Sequence, residues 1–202
     1  MNRKALIVIV SVVFTTGCNK YIDVVPDNVA TLEYAFRMRT TAEKYLATCY
    51  SFIPDLGNVS NNVGLFGGDE LWVNTGLNNN ATRIARGGQN ANNPYFDYWN
   101  GRNNGTAMWT AISQCNIFLE NIGSVPDMTE AEIKQWIAEV KVLKAFYHFW
   151  LLRMYGPIPI MRENIPISAS GEEVRVFRQP VDDVFDYIVE LLDEAEEDLL
   201  PE

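Results

Sequence analysis

Several chemistries lack their raw material in this chain of 202 residues. It holds one histidine, His148, and three cysteines, Cys18, Cys49 and Cys115. A nucleophilic triad needs a base beside its nucleophile, and a structural zinc site needs four nitrogen or sulfur ligands at short spacings. With one histidine and no acid or thiol partner at a recognisable spacing, both have almost no material here. Basic residues are scarce too: 16 Lys and Arg stand against 26 Asp and Glu, for a formal net charge of −10. A surface that binds nucleic acid or anionic lipid must be basic, so both are excluded as direct partners. The chain also has no apolar run of membrane-spanning length, which takes about 20 residues. Its longest such run, residues 5–14, is half that and is interrupted by Ser11.

That short run has a different meaning. Arg3 and Lys4 precede it, and Thr15-Thr16-Gly17-Cys18 follows it. A basic start, a short apolar stretch and small residues before a cleavage point make a secretory signal peptide. A cysteine after a small residue at that point resembles a bacterial lipobox. The expectation is that residues 1–17 are removed and that Cys18 carries the acyl chains that hold a soluble domain on a membrane. Cys49 and Cys115 then remain on two separate predicted helices, and their spacing does not show whether they meet.

The mature chain reads as mainly helical. Thr129 and Glu132 form a capping box, and Gly156, Pro157 and Pro159 form a stop. Between them Val140, Leu143, Tyr147, Trp150, Leu151 and Met154 recur at three and four, so one long helix is predicted over 130–155. His148 sits within it and reads as a structural histidine. Further helices are predicted over 31–52, 106–122 and 181–200. The last is expected to bury Val181, Phe185, Ile188, Leu192, Ala195 and Leu199. Ten acidic residues and no Lys or Arg lie between Asp182 and Glu202, which reads as a solvated helix face. The fold class expected is all-α: tetratricopeptide-like stacked helical hairpins with one long insert.

The insert, about 55–105, holds 13 Asn, 9 Gly and six aromatics in 51 residues and has no sustained period. A loop of that length is functional or disordered, and disordered segments are poor in aromatics. Aromatic faces pack on the C–H side of a sugar ring, while amides both donate and accept hydrogen bonds. The bland alternative is that Trp72, Tyr98 and Trp99 simply pin the loop to the core.

A family resemblance covers most of this order. The run Ala138, Glu139, Lys141, Leu143, Lys144, Ala145, Phe146, Tyr147, Phe149, Leu151, Arg153, Tyr155, Gly156, Ile158 and Pro159 resembles the signature helix of the SusD/RagB nutrient-binding outer-membrane lipoproteins. The blocks 108–122 and 180–201 resemble the helices on either side of it. The resemblance implies a non-enzymatic protein without cofactor or metal, placed on the outer membrane and facing out of the cell. It also implies an oligosaccharide or other nutrient as ligand and a SusC-like TonB-dependent transporter as partner. The block Gly67–Gly76 falls where family members line the glycan surface, which makes Asp69, Trp72, Asn74 and Arg83 candidate ligand residues, with Trp99 from the second aromatic cluster. Family members are usually much longer, so 18–202 is expected to be an N-terminal part. The rival expectations are a helical-repeat lipoprotein that binds only protein and a surface glycosidase, which would need two carboxyl groups about 5 to 9.5 Å apart.

Overall fold

The computed structural model of the chain describes residues 32–57, 62–67 and 80–199. Compactness divides the chain at Leu32, and residues 33–202 form one unit. Its helices are α1 (Leu32–Ala35), α2 (Arg39–Tyr50), α3 (Val63–Gly67), α4 (Asn80–Ala85), α5 (Met108–Asn121), α6 (Glu130–Tyr155) and α7 (Val181–Glu196). No strand occurs among the described residues, where Asp97 with Arg102 and Ile158 with Gln179 make isolated bridges. The fold is all-α.

The long helix α6 has the bounds that its caps dictate. The Thr129 side chain accepts from the Glu132 backbone, the Glu132 carboxylate accepts from the Thr129 backbone, and Gly156 closes the helix at φ +70°. This helix is the centre of the fold, packed against α2, α5 and α7. Pairings show the directions. Lys141 meets Glu194 at 2.9 Å, His148 meets Tyr187 and Phe149 meets Phe185, so α7 runs antiparallel to α6. On the other side Arg39 bonds Glu132 and the Tyr147 hydroxyl donates to the Cys49 carbonyl, so α2 runs parallel to α6. Phe118, Ile112, Met108, Tyr147, Leu151 and Val184 lie fully inside this stack.

Three expectations need correction. The helix expected over 31–52 is broken, because Met38 is extended and α2 restarts at Arg39. The Arg39 backbone N–H donates to Asp127 Oδ1 at 2.6 Å, so a distant carboxylate takes over the role of a local cap. The last helix buries Val184, Tyr187, Ile188, Leu191 and Ala195. Val181, Phe185, Leu192 and Leu199, expected inside, are exposed. Lastly, the insert is not wholly irregular, since α3 and α4 lie within it.

Candidate ligand-binding surface

Past α4, the part of the insert from Arg86 to Gly105 is a loop that draws its backbone partners from the insert itself. Without a helix or strand ladder its peptide groups need other acceptors and donors, and amide side chains provide them. Asn80 Nδ2 donates to the Tyr95 carbonyl and Asn103 Nδ2 to that of Pro94. Gln89 Oε1 accepts from the Tyr95 N–H, and Asn90 Oδ1 from that of Asn93. Asp97 is the hub. Its carboxylate accepts from the backbones of Trp99 and Asn100 and from Asn100 Nδ2, at 2.9 to 3.2 Å. Burial pushes its pKa up, but these hydrogen bonds from Asn100 and Trp99 outweigh burial and hold it below the usual carboxylate value. Gly105 packs so closely on the Asp97 backbone that a Cβ there would collide with it. Asn103 and Asn104 have φ of 52° and 69°, a region asparagine tolerates better than most residues.

The second aromatic cluster turns mostly inward. Phe96 and Tyr98 are buried, stacked at 6.0 Å, and Tyr98 meets Trp150 edge-on at 5.4 Å. Trp99 is half-buried. Trp109 and Tyr155 meet it edge-on at 5.1 and 5.4 Å, the Arg178 guanidinium lies 5.0 Å from its ring centre, and its backbone N–H donates to the Tyr155 hydroxyl. Of the sequence candidates, then, Trp99 is engaged in pinning the loop. It also lines an open cavity of about 640 Å³ with Trp109, Ile112, Ile117, Met161, Ile165 and Val176. The cavity offers a hydroxyl-rich ligand little. Its Asn164 amide already bonds Asn116 Nδ2 and the Ser113 carbonyl. Sequence reasoning missed this cavity because one wall, residues 159–176, has no periodicity; its only signal is apolar residues in an irregular stretch.

Arg83 is half-buried on α4, its guanidinium 5.4 Å from the centre of the Tyr95 ring. Asn92, Asn93 and Asn104 are exposed, and their side-chain amides have no partner among the described residues. Arginine, a tyrosine face and free amides are the groups that recognise hydroxyls and sugar rings. Asp69, Trp72, Asn74 and Cys18 lie outside the described residues.

The buried polar groups of α6 have structural work. His148 Nδ1 donates to the Lys144 carbonyl at 2.8 Å, and Nε2 accepts from the Met161 N–H at 3.4 Å. Burial pushes its pKa down to about 4, so the ring is neutral and satisfied. Lys144 Nζ donates to the Arg162 carbonyl at 2.6 Å, and burial lowers its pKa to about 8. Both side chains clamp the segment that leaves α6 at Gly156. Cys49 and Cys115 are free, buried neighbours. Hydrogen bonding to Cys49 and burial raise the Cys115 thiol pKa, the opposite of an activated nucleophile. Among the described residues no group of acids, histidines and cysteines could hold a metal ion, and no helix is long and apolar enough to cross a membrane.

A sequence model of a SusD-like family, described as "Starch-binding associating with outer membrane", matches residues 20–202. The chain belongs to this SusD-like family. No curated protein matches its sequence. Among solved structures it is similar to a SusD-like protein from Bacteroides fragilis NCTC 9343, at 20% identity and a TM-score of 0.62, over 85% of this chain and 32% of that one. It is also similar to a laminarin-binding SusD-like protein, at 22% identity and a TM-score of 0.64, over 81% and 35% of the two chains. Surface glycan-binding protein A from Bacteroides uniformis matches at 23% and 0.63, over 80% and 35%. The shared fold is what these likenesses establish, and the chain spans about a third of the length of each.

Proposed function

We propose that this protein binds an oligosaccharide at the cell surface and delivers it to a SusC-like TonB-dependent outer-membrane transporter, without making or breaking a bond. The observation that carries this reading is the family match over residues 20–202, to a family described as starch-binding and associated with the outer membrane. Two structural neighbours, a laminarin-binding SusD-like protein and a surface glycan-binding protein, point the same way. Local chemistry supports it: the loop leaves the side-chain amides of Asn92, Asn93 and Asn104 exposed, and the half-buried Arg83–Tyr95 pair belongs to the same segment. Asp69, Trp72 and Asn74, outside the described residues, remain candidate ligand contacts on the family resemblance, as does the half-buried Trp99 beside its role in pinning the loop. The acylated Cys18 would hold the protein at the membrane while a ligand passes to the transporter.

Isothermal titration of the purified protein against plant, host and microbial glycans tests the reading. Saturable binding is expected for at least one glycan, recovered unchanged by chromatography. Absence of binding across the panel would favour the purely protein-binding alternative, and a shortened glycan would favour the glycosidase. For the anchor, Cys18→Ala should move the protein from the membrane fraction to the soluble periplasm, and retention of the variant would contradict the lipid at that residue.

A further inference from the structure

Cys49 on α2 and Cys115 on α5 are far apart in the chain yet share one place in the core. Both are fully buried thiols, and that of Cys115 is hydrogen-bonded to that of Cys49. Bonds on either side hold this register. The Tyr45 hydroxyl, one turn before Cys49, donates to Gln114 Oε1, beside Cys115, and the Tyr147 hydroxyl of α6 donates to the Cys49 carbonyl. Two sulfurs held in contact across a helix interface need only a small approach to bond covalently. The helix α2 also has the most to gain from such a bond. It buries only Ala42, Leu46 and Cys49 along its twelve residues, whereas α5 buries six along fourteen, and no side chain of its own N-cap residue caps its start.

We propose that Cys49 and Cys115 are joined by a disulfide in the exported protein, a staple that ties α2 to α5. This rests on the reading of residues 1–17 as a signal peptide that takes the chain out of the reducing cytosol, since structural disulfides persist in oxidising compartments. The oxidant is a disulfide-bearing protein of that compartment. One cysteine thiolate attacks its disulfide to give a mixed disulfide, and the other thiolate then displaces the oxidant's sulfur. The oxidant leaves as a dithiol carrying the two electrons, and the two protons it gains balance the two that the cysteines lose. Neither sulfur is reachable in the finished fold, so the bond closes before α2 docks, and burial then shields it from reductants. A load on the acylated Cys18 enters the fold from the N-terminal side of α2, which the staple secures.

Protein made with its signal peptide, denatured in N-ethylmaleimide without reductant and mapped by mass spectrometry, tests the proposal. A cross-linked pair of peptides holding Cys49 and Cys115 is expected, with neither cysteine alkylated. The melting temperature should fall by about 10 °C when dithiothreitol is present, because the long closed loop no longer restricts the unfolded chain. Cys49→Ala combined with Cys115→Ala should erase that dependence on reductant. Both cysteines alkylated in a chain that has lost residues 1–17 would overturn the cross-link and leave the exported location standing. Both alkylated in a chain that keeps those residues would contradict the location and the cross-link together. A cross-linked protein whose melting is indifferent to dithiothreitol would overturn the staple.

Discussion

Helix α6 and the loop from Asn80 to Gly105 are both rich in aromatic and polar residues, yet they use them in opposite ways. In α6 the backbone satisfies itself through its own ladder, so Lys144, Tyr147 and His148 are released to bind the backbones of neighbouring segments, at Arg162, Cys49 and Met161. Past α4 the loop has no ladder, and Asn80, Gln89, Asn90 and Asn103 bind its peptide groups. A buried histidine and lysine in the helix therefore carry no chemistry for a ligand. Nor does every asparagine in the loop. What remains for a ligand is the set of amides the loop does not consume, Asn92, Asn93 and Asn104, beside the Arg83–Tyr95 pair.

The largest effect that would break this contrast is in the core around α6. Leu143→Ala removes a buried side chain and should cost about 2 to 5 kcal/mol in denaturant unfolding; a cost under about 0.5 kcal/mol, as on a solvated face, would show the helix turned the wrong way. Next is the neutral His148. The unfolded ring titrates at 6.5 and the folded one at about 4. Below 6.5 the unfolded chain takes up a proton that the folded chain refuses, so stability falls as pH drops from 6.5 to 4, by about 3 kcal/mol. His148→Gln should remove that share of the slope whatever its effect on stability at neutral pH. On the loop side, Asp97→Ala removes the acceptor of the Asn100 N–H and Nδ2 and leaves the Trp99 N–H only the Tyr155 hydroxyl, and should cost about 1 to 3 kcal/mol. If melting curves show no change, the loop is held by its aromatics alone. The smallest is the capping box: Thr129→Ala should cost about 1 kcal/mol, and Thr129→Ser should restore most of it.

The same contrast explains what could be read from the residues in order. The bounds of α6 were legible because every signal is local: Thr129, Glu132, apolar residues recurring at three and four, and Gly156 lie on the element itself or cap it. The break between α1 and α2 was not, because the group that caps Arg39 is Asp127, far along the chain. The buried side of α7 was misread for another reason. Its apolar arc is wide enough for two stripes, and periodicity alone could not choose between Leu191, which is 5% exposed, and Leu192, which is 42% exposed. In the candidate surface the aromatic and amide composition was visible, but its division between scaffold and ligand was not. Phe96, Tyr98 and five amide side chains, those of Asn80, Gln89, Asn90, Asn100 and Asn103, serve the loop itself, a role that depends on contacts no local pattern encodes.

Affinity per folded molecule tests the central claim most directly: ligand chemistry lies on the loop, and the polar residues of α6 are scaffold. With a glycan that the protein binds, Arg83→Ala and Lys144→Met should be titrated beside the parent protein, each corrected for its folded fraction. Arg83→Ala should weaken binding about tenfold per folded molecule, the loss of one charge-assisted hydrogen bond, while Lys144→Met should shift the melting temperature and leave the affinity of the folded protein as it was. Unchanged affinity in Arg83→Ala together with lost affinity in folded Lys144→Met would contradict the account.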